Sequence, residues 1–107
     1  MTDKNVLLID DSNFEKEVLQ SKEPFLLDFG ATWCGPCKAL EPVIDKLAAA
    51  TSGVLRVGKI DIDDAPRVSA KYNVRGAPTI LVFRDGKEAA RHLGVTTEKR
   101  LRELAGI

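Results

Sequence analysis

The chain has 107 residues, enough for one compact domain spanning 1–107 and too few for two. Apolar residues make up 44 %, and the charges balance at sixteen of each sign. A real core is therefore expected without staples, and neither a nucleic-acid partner nor an anionic membrane surface is expected.

The balance hides an asymmetry: residues 1–53 carry five basic and nine acidic side chains, residues 54–107 eleven and seven. It reads as an uneven solvated surface. No charged-then-apolar leader opens the sequence, and no apolar run approaches membrane-spanning length. Two cysteines in one close pair fit a reducing compartment better than a secreted disulfide scaffold, so the expected location is the cytoplasm.

Val6-Leu7-Leu8-Ile9 reads as a first strand. Ser12-Asn13-Phe14-Glu15 has the spacing of a capping box and predicts a helix that turns Phe14 and Val18 inward. Lys22-Glu23-Pro24 closes it, and Phe25 to Phe29 is a buried-strand run. Leu40, Val43, Ile44, Leu47 and Ala48 then recur at helical spacing, with Pro42 inside predicting a kink. Ser52-Gly53 ends that helix, and Val54 to Ile62 reads as a third strand.

Two successive strand–helix–strand units predict parallel pairing. Asp63-Asp64-Ala65-Pro66 reads as the cap of a short helix through Tyr72. Thr79 to Phe83 is a fourth strand, and Asp85-Gly86 is a hairpin signal pairing it antiparallel with Lys87 to Leu93. Thr97, or Thr96, caps a last helix with Leu101, Leu104 and Ala105 on its inner face. The expected class is α/β, a mixed sheet with helices on both faces.

The chemistry concentrates in Trp33-Cys34-Gly35-Pro36-Cys37, between the second strand and its helix. First-turn amides have no intrahelical partners and carry the positive end of the helix dipole, which favours a thiolate at Cys34. Cys37, about one turn on, reaches back toward it, and Pro36 is tolerated where its missing donor is not needed. An attacking thiolate with a resolving thiol beside it is the arrangement of dithiol–disulfide exchange. A zinc site would need four ligands, and His92 is the only histidine. A purely structural bridge across two residues would restrain little unfolded-state entropy. Asp28, inside an apolar run, is expected to be a hard-to-ionise buried carboxyl.

With Asp28-Phe29 before the cysteines, Trp33 to Lys38 around them, Pro42 in the helix and Arg75-Gly76-Ala77-Pro78-Thr79 later, the chain resembles the thioredoxin family from Val6 to Leu104. The resemblance implies a five-stranded sheet in the order 1-3-2-4-5, its first three strands parallel, flanked by four helices. It also implies a cis Ala77–Pro78 bond and no bound cofactor or metal. The activity implied is reduction of protein disulfides, with Cys34 attacking, Cys37 resolving, Asp28 accepting the proton of Cys37 through a water and Lys59 on the neighbouring strand tuning that acid. A thioredoxin reductase would restore the dithiol of a monomeric protein.

The expected substrate surface comprises Trp33, Gly35, Pro36, Gly76, Ala77, Pro78, Gly94 and Val95, with the substrate pairing as an added strand. A binding module using the same patch is the alternative, and a zinc-bridged dimer is a further one. Oxidase or isomerase action is disfavoured because Pro36 offers no amide to the thiolate. One position departs from the family pattern: Gly30 stands where a tryptophan is usual. Either a neighbour fills that space or the turn is looser.

Overall fold

The computed structural model describes residues 5–107; the first four residues of the expected domain lie outside them. Five strands form one sheet in the order β1-β3-β2-β4-β5: β1 Val6–Ile9, β2 Phe25–Gly30, β3 Arg56–Asp61, β4 Thr79–Arg84 and β5 Lys87–Leu93. β3 pairs parallel with both β1 and β2, whereas β4 is antiparallel to β2 and β5 antiparallel to β4. The helices are α1 Gly35–Ala50, α2 Pro66–Lys71, α3 Glu98–Ala105 and a single π-helical turn, Glu15–Leu19.

Side chains alternate across each strand, so every strand serves two cores. Leu26, Val57, Ile80 and Val82 pack beneath Leu40, Ile44 and Leu47 of α1 and Leu101 of α3. Phe25, Leu27, Phe29, Leu81 and Phe83 face the other way, onto Phe14, Val18 and Val68. There Phe14, Tyr72 and Phe83 meet with ring centroids 5.2–5.6 Å apart, in the tilted and edge-on contacts aromatic rings prefer. Gly58 is where this packing is tightest: a Cβ there would lie 2.9 Å from the Phe25 ring.

Local signals hold at the hairpin and at α3. Asp85 and Gly86 both have positive φ, 53° and 78°, as a two-residue turn matched to strand twist requires. Thr97 caps α3, its side chain accepting from the Arg100 amide at 3.2 Å. α1 runs unbroken through Pro42, which is on its exposed side.

Three expectations need correcting. The capping box at Ser12 does not form. Asp10 takes the role instead, its carboxylate accepting from the amides of Ser12 at 2.8 Å and Asn13 at 3.2 Å. Hydrogen bonds from Ser12 hold the Asp10 carboxyl below the usual range. β3 starts at Arg56 rather than Val54, because the amides of Val54 and Leu55 both turn back to the Thr51 carbonyl. α2 is capped by neither Asp63 nor Asp64 and stops at Lys71. Its first amides, from Arg67 and Val68, donate to Asp11 at 3.1 and 3.0 Å, so the acceptor arrives from the loop after β1.

Candidate active site

The chain leaves the middle of the sheet at Gly30 and enters α1 at Gly35, with Cys34 as the N-cap residue. Cys34 has extended backbone angles, and its sulfur accepts the Cys37 amide at 3.1 Å. A first-turn amide that would otherwise lack a partner thus points at sulfur, the role a serine or aspartate oxygen plays in an ordinary cap. Cys34 and Cys37 are joined as a disulfide, their Cα atoms 5.3 Å apart. Gly35 and Pro36, between them, are exposed.

Strand register explains what lies beneath the pair. Asp28 is opposite Lys59 on β3 and Ile80 on β4. It shares the parity of Leu26, so its side chain is on the α1 face of the sheet. Lys59, two residues beyond Val57, is on the same face and pairs with Glu41 of α1 at 3.3 Å.

Asp28 is 3 % exposed, and its Oδ1 has no hydrogen-bond partner. Burial pushes its carboxyl up to about 7, Lys59 pulls it down, and Glu41 adds a smaller upward push. Lys59 therefore acts on Asp28 through its charge while its ammonium is paired elsewhere. Asp28 and Cys37 border the same cleft.

The Ala77–Pro78 bond is cis. Pro78 directly precedes Thr79, which is opposite Phe29, so it lies at the level where β2 hands over to the Cys34 turn. The Pro78 carbonyl accepts the Gly94 amide at 2.8 Å, which ties the end of β5 to this level. Gly76 approaches Leu93: a Cβ on it would be 3.5 Å from the leucine Cδ1. Trp33 is 65 % exposed, and its indole N–H donates to Asp63 at 2.8 Å. Val95 is exposed, while Gly76, Ala77 and Gly94 are half-buried and Pro78 is buried.

A family model described as Thioredoxin matches residues 5–105. The chain belongs to the thioredoxin family. It is 41 % identical over 93 residues to a thioredoxin of Rickettsia felis, covering 87 % of this chain and 89 % of the relative. It is 41 % identical over 95 residues to one of Rhodospirillum rubrum, covering 89 % and 91 %. It is also 41 % identical over 98 residues to the chloroplastic M-type thioredoxin of Spinacia oleracea, covering 92 % of this chain and 54 % of that one. With a cysteine pair spaced about one turn apart and bonded at a helix mouth, this thioredoxin-family chain is a dithiol protein-disulfide oxidoreductase acting as a reductase.

Three further residues at the site carry little or no signal in the sequence. Glu41 follows Cys37 by four residues on the helix, so helical spacing alone would have set it over the same patch. Asp63, whose spacing before Pro66 suggests a helix cap, instead accepts the Trp33 indole N–H. Leu93, 68 % exposed, borders Gly76 and had no signal beyond its place at a strand end.

Gly30 resolves plainly. A Cβ there would touch Cys37, at 3.6 Å from its sulfur and 3.7 Å from its Cβ, and no other heavy atom within 4 Å. Beyond its chain neighbours, no residue other than Cys37 comes that close to a Cβ on the glycine. Among the described residues, no helix is long and apolar enough to cross a membrane.

Proposed function

We propose that this chain carries electrons to disulfides of partner proteins by a division of labour between its two cysteines. The Cys34 thiolate attacks a substrate disulfide, one substrate thiolate leaves, and a mixed disulfide forms on Cys34. Cys37 then gives its proton to Asp28 through a water, and its thiolate attacks the Cys34 sulfur. That closes the internal disulfide and releases the second substrate thiolate. The observation carrying this order is the Cys37 amide on the Cys34 sulfur, which favours negative charge on Cys34 both when it attacks and when it leaves.

A carboxyl titrating near 7 suits Asp28 to proton transfer at neutral pH, and the Lys59 charge keeps it from rising further. Trp33, Gly35, Pro36, Gly76, Ala77, Pro78, Gly94 and Val95 receive the substrate as an added extended segment. The small residues admit its backbone close to sulfur, and Ala77 supplies backbone pairing. The domain spans 1–107 and works as a cytoplasmic monomer with no bound cofactor or metal. A thioredoxin reductase returns it to the dithiol.

Trapping tests the order. A Cys37→Ser chain incubated with a disulfide-containing protein should accumulate a mixed disulfide on Cys34, and a Cys34→Ser chain should lose insulin-type disulfide reduction. Retained reduction without Cys34 would overturn the proposal. Partner stabilisation that survives Cys34→Ser, in a chain that reduces nothing, would point to a binding module instead.

A further inference from the structure

The space left at Gly30 belongs to a cleft of about 980 Å³ between α1 and the sheet. Register lays Leu8, Lys59 and Asp28 in one row along its sheet side. Cys37 borders the cleft and Cys34 does not. Both sulfur-bearing residues are buried, Cys37 being 7 % exposed and Cys34 3 %. Asp28 lines the same space, and its Oδ1 is buried without a hydrogen bond from another protein group. The cleft thus reaches the pair on its Cys37 side, where a Cβ on Gly30 would lie 3.6 Å from the sulfur.

We infer that the cleft admits small cationic thiols and disulfides directly to Cys37, a second exchange route beside the protein route through Cys34. The inference rests on the dithiol chemistry proposed for the pair. In the reducing step the small thiolate bonds to Cys37, the Cys34–Cys37 bond breaks, and its electron pair leaves on Cys34. That is the favoured leaving sulfur, because the Cys37 amide already points at it. A second small thiolate attacks the bound one. This releases a small disulfide and a Cys37 thiolate that takes up a proton, so two small thiols are oxidised as the protein disulfide is reduced.

The charge of the cleft selects the ligand. Asp10, Asp11, Asp61 and Asp64 line it, Lys59 is paired with Glu41, and Lys38 is the remaining cation among its lining residues. Leu8, exposed on β1, offers an apolar side for a short hydrocarbon stem. An aminothiol matches both features better than a thiol bearing a carboxylate.

The test uses full chains carrying Cys34→Ser, so that only Cys37 reacts. Each is labelled with cystamine or with the anionic 3,3′-dithiodipropionate and followed by intact mass. Gly30→Ala and Gly30→Leu grade the free space. The alanine is the safe member, since its Cβ meets Cys37 at ordinary contact distance.

Cystamine labelling should fall in the order glycine, alanine, leucine, by at least about ten-fold across the series, while urea-unfolded chains label equally. With Gly30 present, cystamine should outpace the anionic disulfide at least about three-fold, and that preference should shrink at high salt. Equal labelling across the series, or no preference for the cation, would overturn the inference. Insulin-type reduction by the unsubstituted chain reads the Cys34 route separately: losing that activity sinks the protein-reductase reading and leaves the Cys37 labelling result standing.

Discussion

The two faces of the sheet obey different rules although the same strands build both. On the face away from α1, the rings of Phe14, Tyr72 and Phe83 interlock over buried Phe25, Leu27 and Phe29. On the α1 face, Leu26 and Val57 keep the apolar pattern, and the next inward positions toward the strand ends are Asp28 and Lys59. One face therefore maximises burial, whereas the other interrupts it with an unpartnered carboxyl, a lysine and an open cleft beside Cys37. A single step along β2, from Leu27 to Asp28, moves from the stabilising face to the reactive one.

Substitutions on the two faces should separate stability from chemistry. Phe83→Ala removes the ring that touches both Phe14 and Tyr72. It should lower unfolding free energy by about 3–5 kcal/mol in urea titration while leaving exchange by the folded fraction intact. A loss of chemistry larger than the loss of folded protein would break the comparison.

Asp28→Asn should do the reverse. The folded carboxyl, raised from 3.8 to about 7, binds its proton more tightly than the unfolded one. Its contribution is thus fully present below about pH 4 and declines as pH rises toward 7, by up to ~4 kcal/mol. The asparagine variant should lose that pH slope in urea unfolding and resolve mixed disulfides at least about ten-fold more slowly. Unchanged turnover across pH would remove Asp28 from the proton path.

Asp11→Ala carries a smaller effect. Freeing the amides of Arg67 and Val68 should cost about 1 kcal/mol, measured by thermal or urea unfolding, with insulin-type reduction through Cys34 unaltered in the folded fraction.

What the sequence made legible follows the same division. Apolar runs located the first four strands, and a short-range signal such as Asp85-Gly86, which also placed β5, or Thr97 acted where its partners were its own neighbours. Local caps failed where the acceptor came from elsewhere: Asp11 reaches α2 across more than fifty residues, and no spacing rule reports that. At the site, Cys34, Cys37 and Asp28 stood out because their types clash with, or punctuate, the apolar pattern. The pairing of Lys59 with Glu41 rather than Asp28 depended on strand register meeting a helix turn. The cleft was visible only as one glycine in place of a ring, since the shape of an empty space belongs to its walls and not to any one residue.

Titration of Asp28, followed through its carboxyl carbon by NMR in the oxidised protein, tests the contrast between the faces most directly. The account predicts a midpoint near 7, set by burial and held there by Lys59. A midpoint near 4, that of an ordinary solvated aspartate, would contradict it.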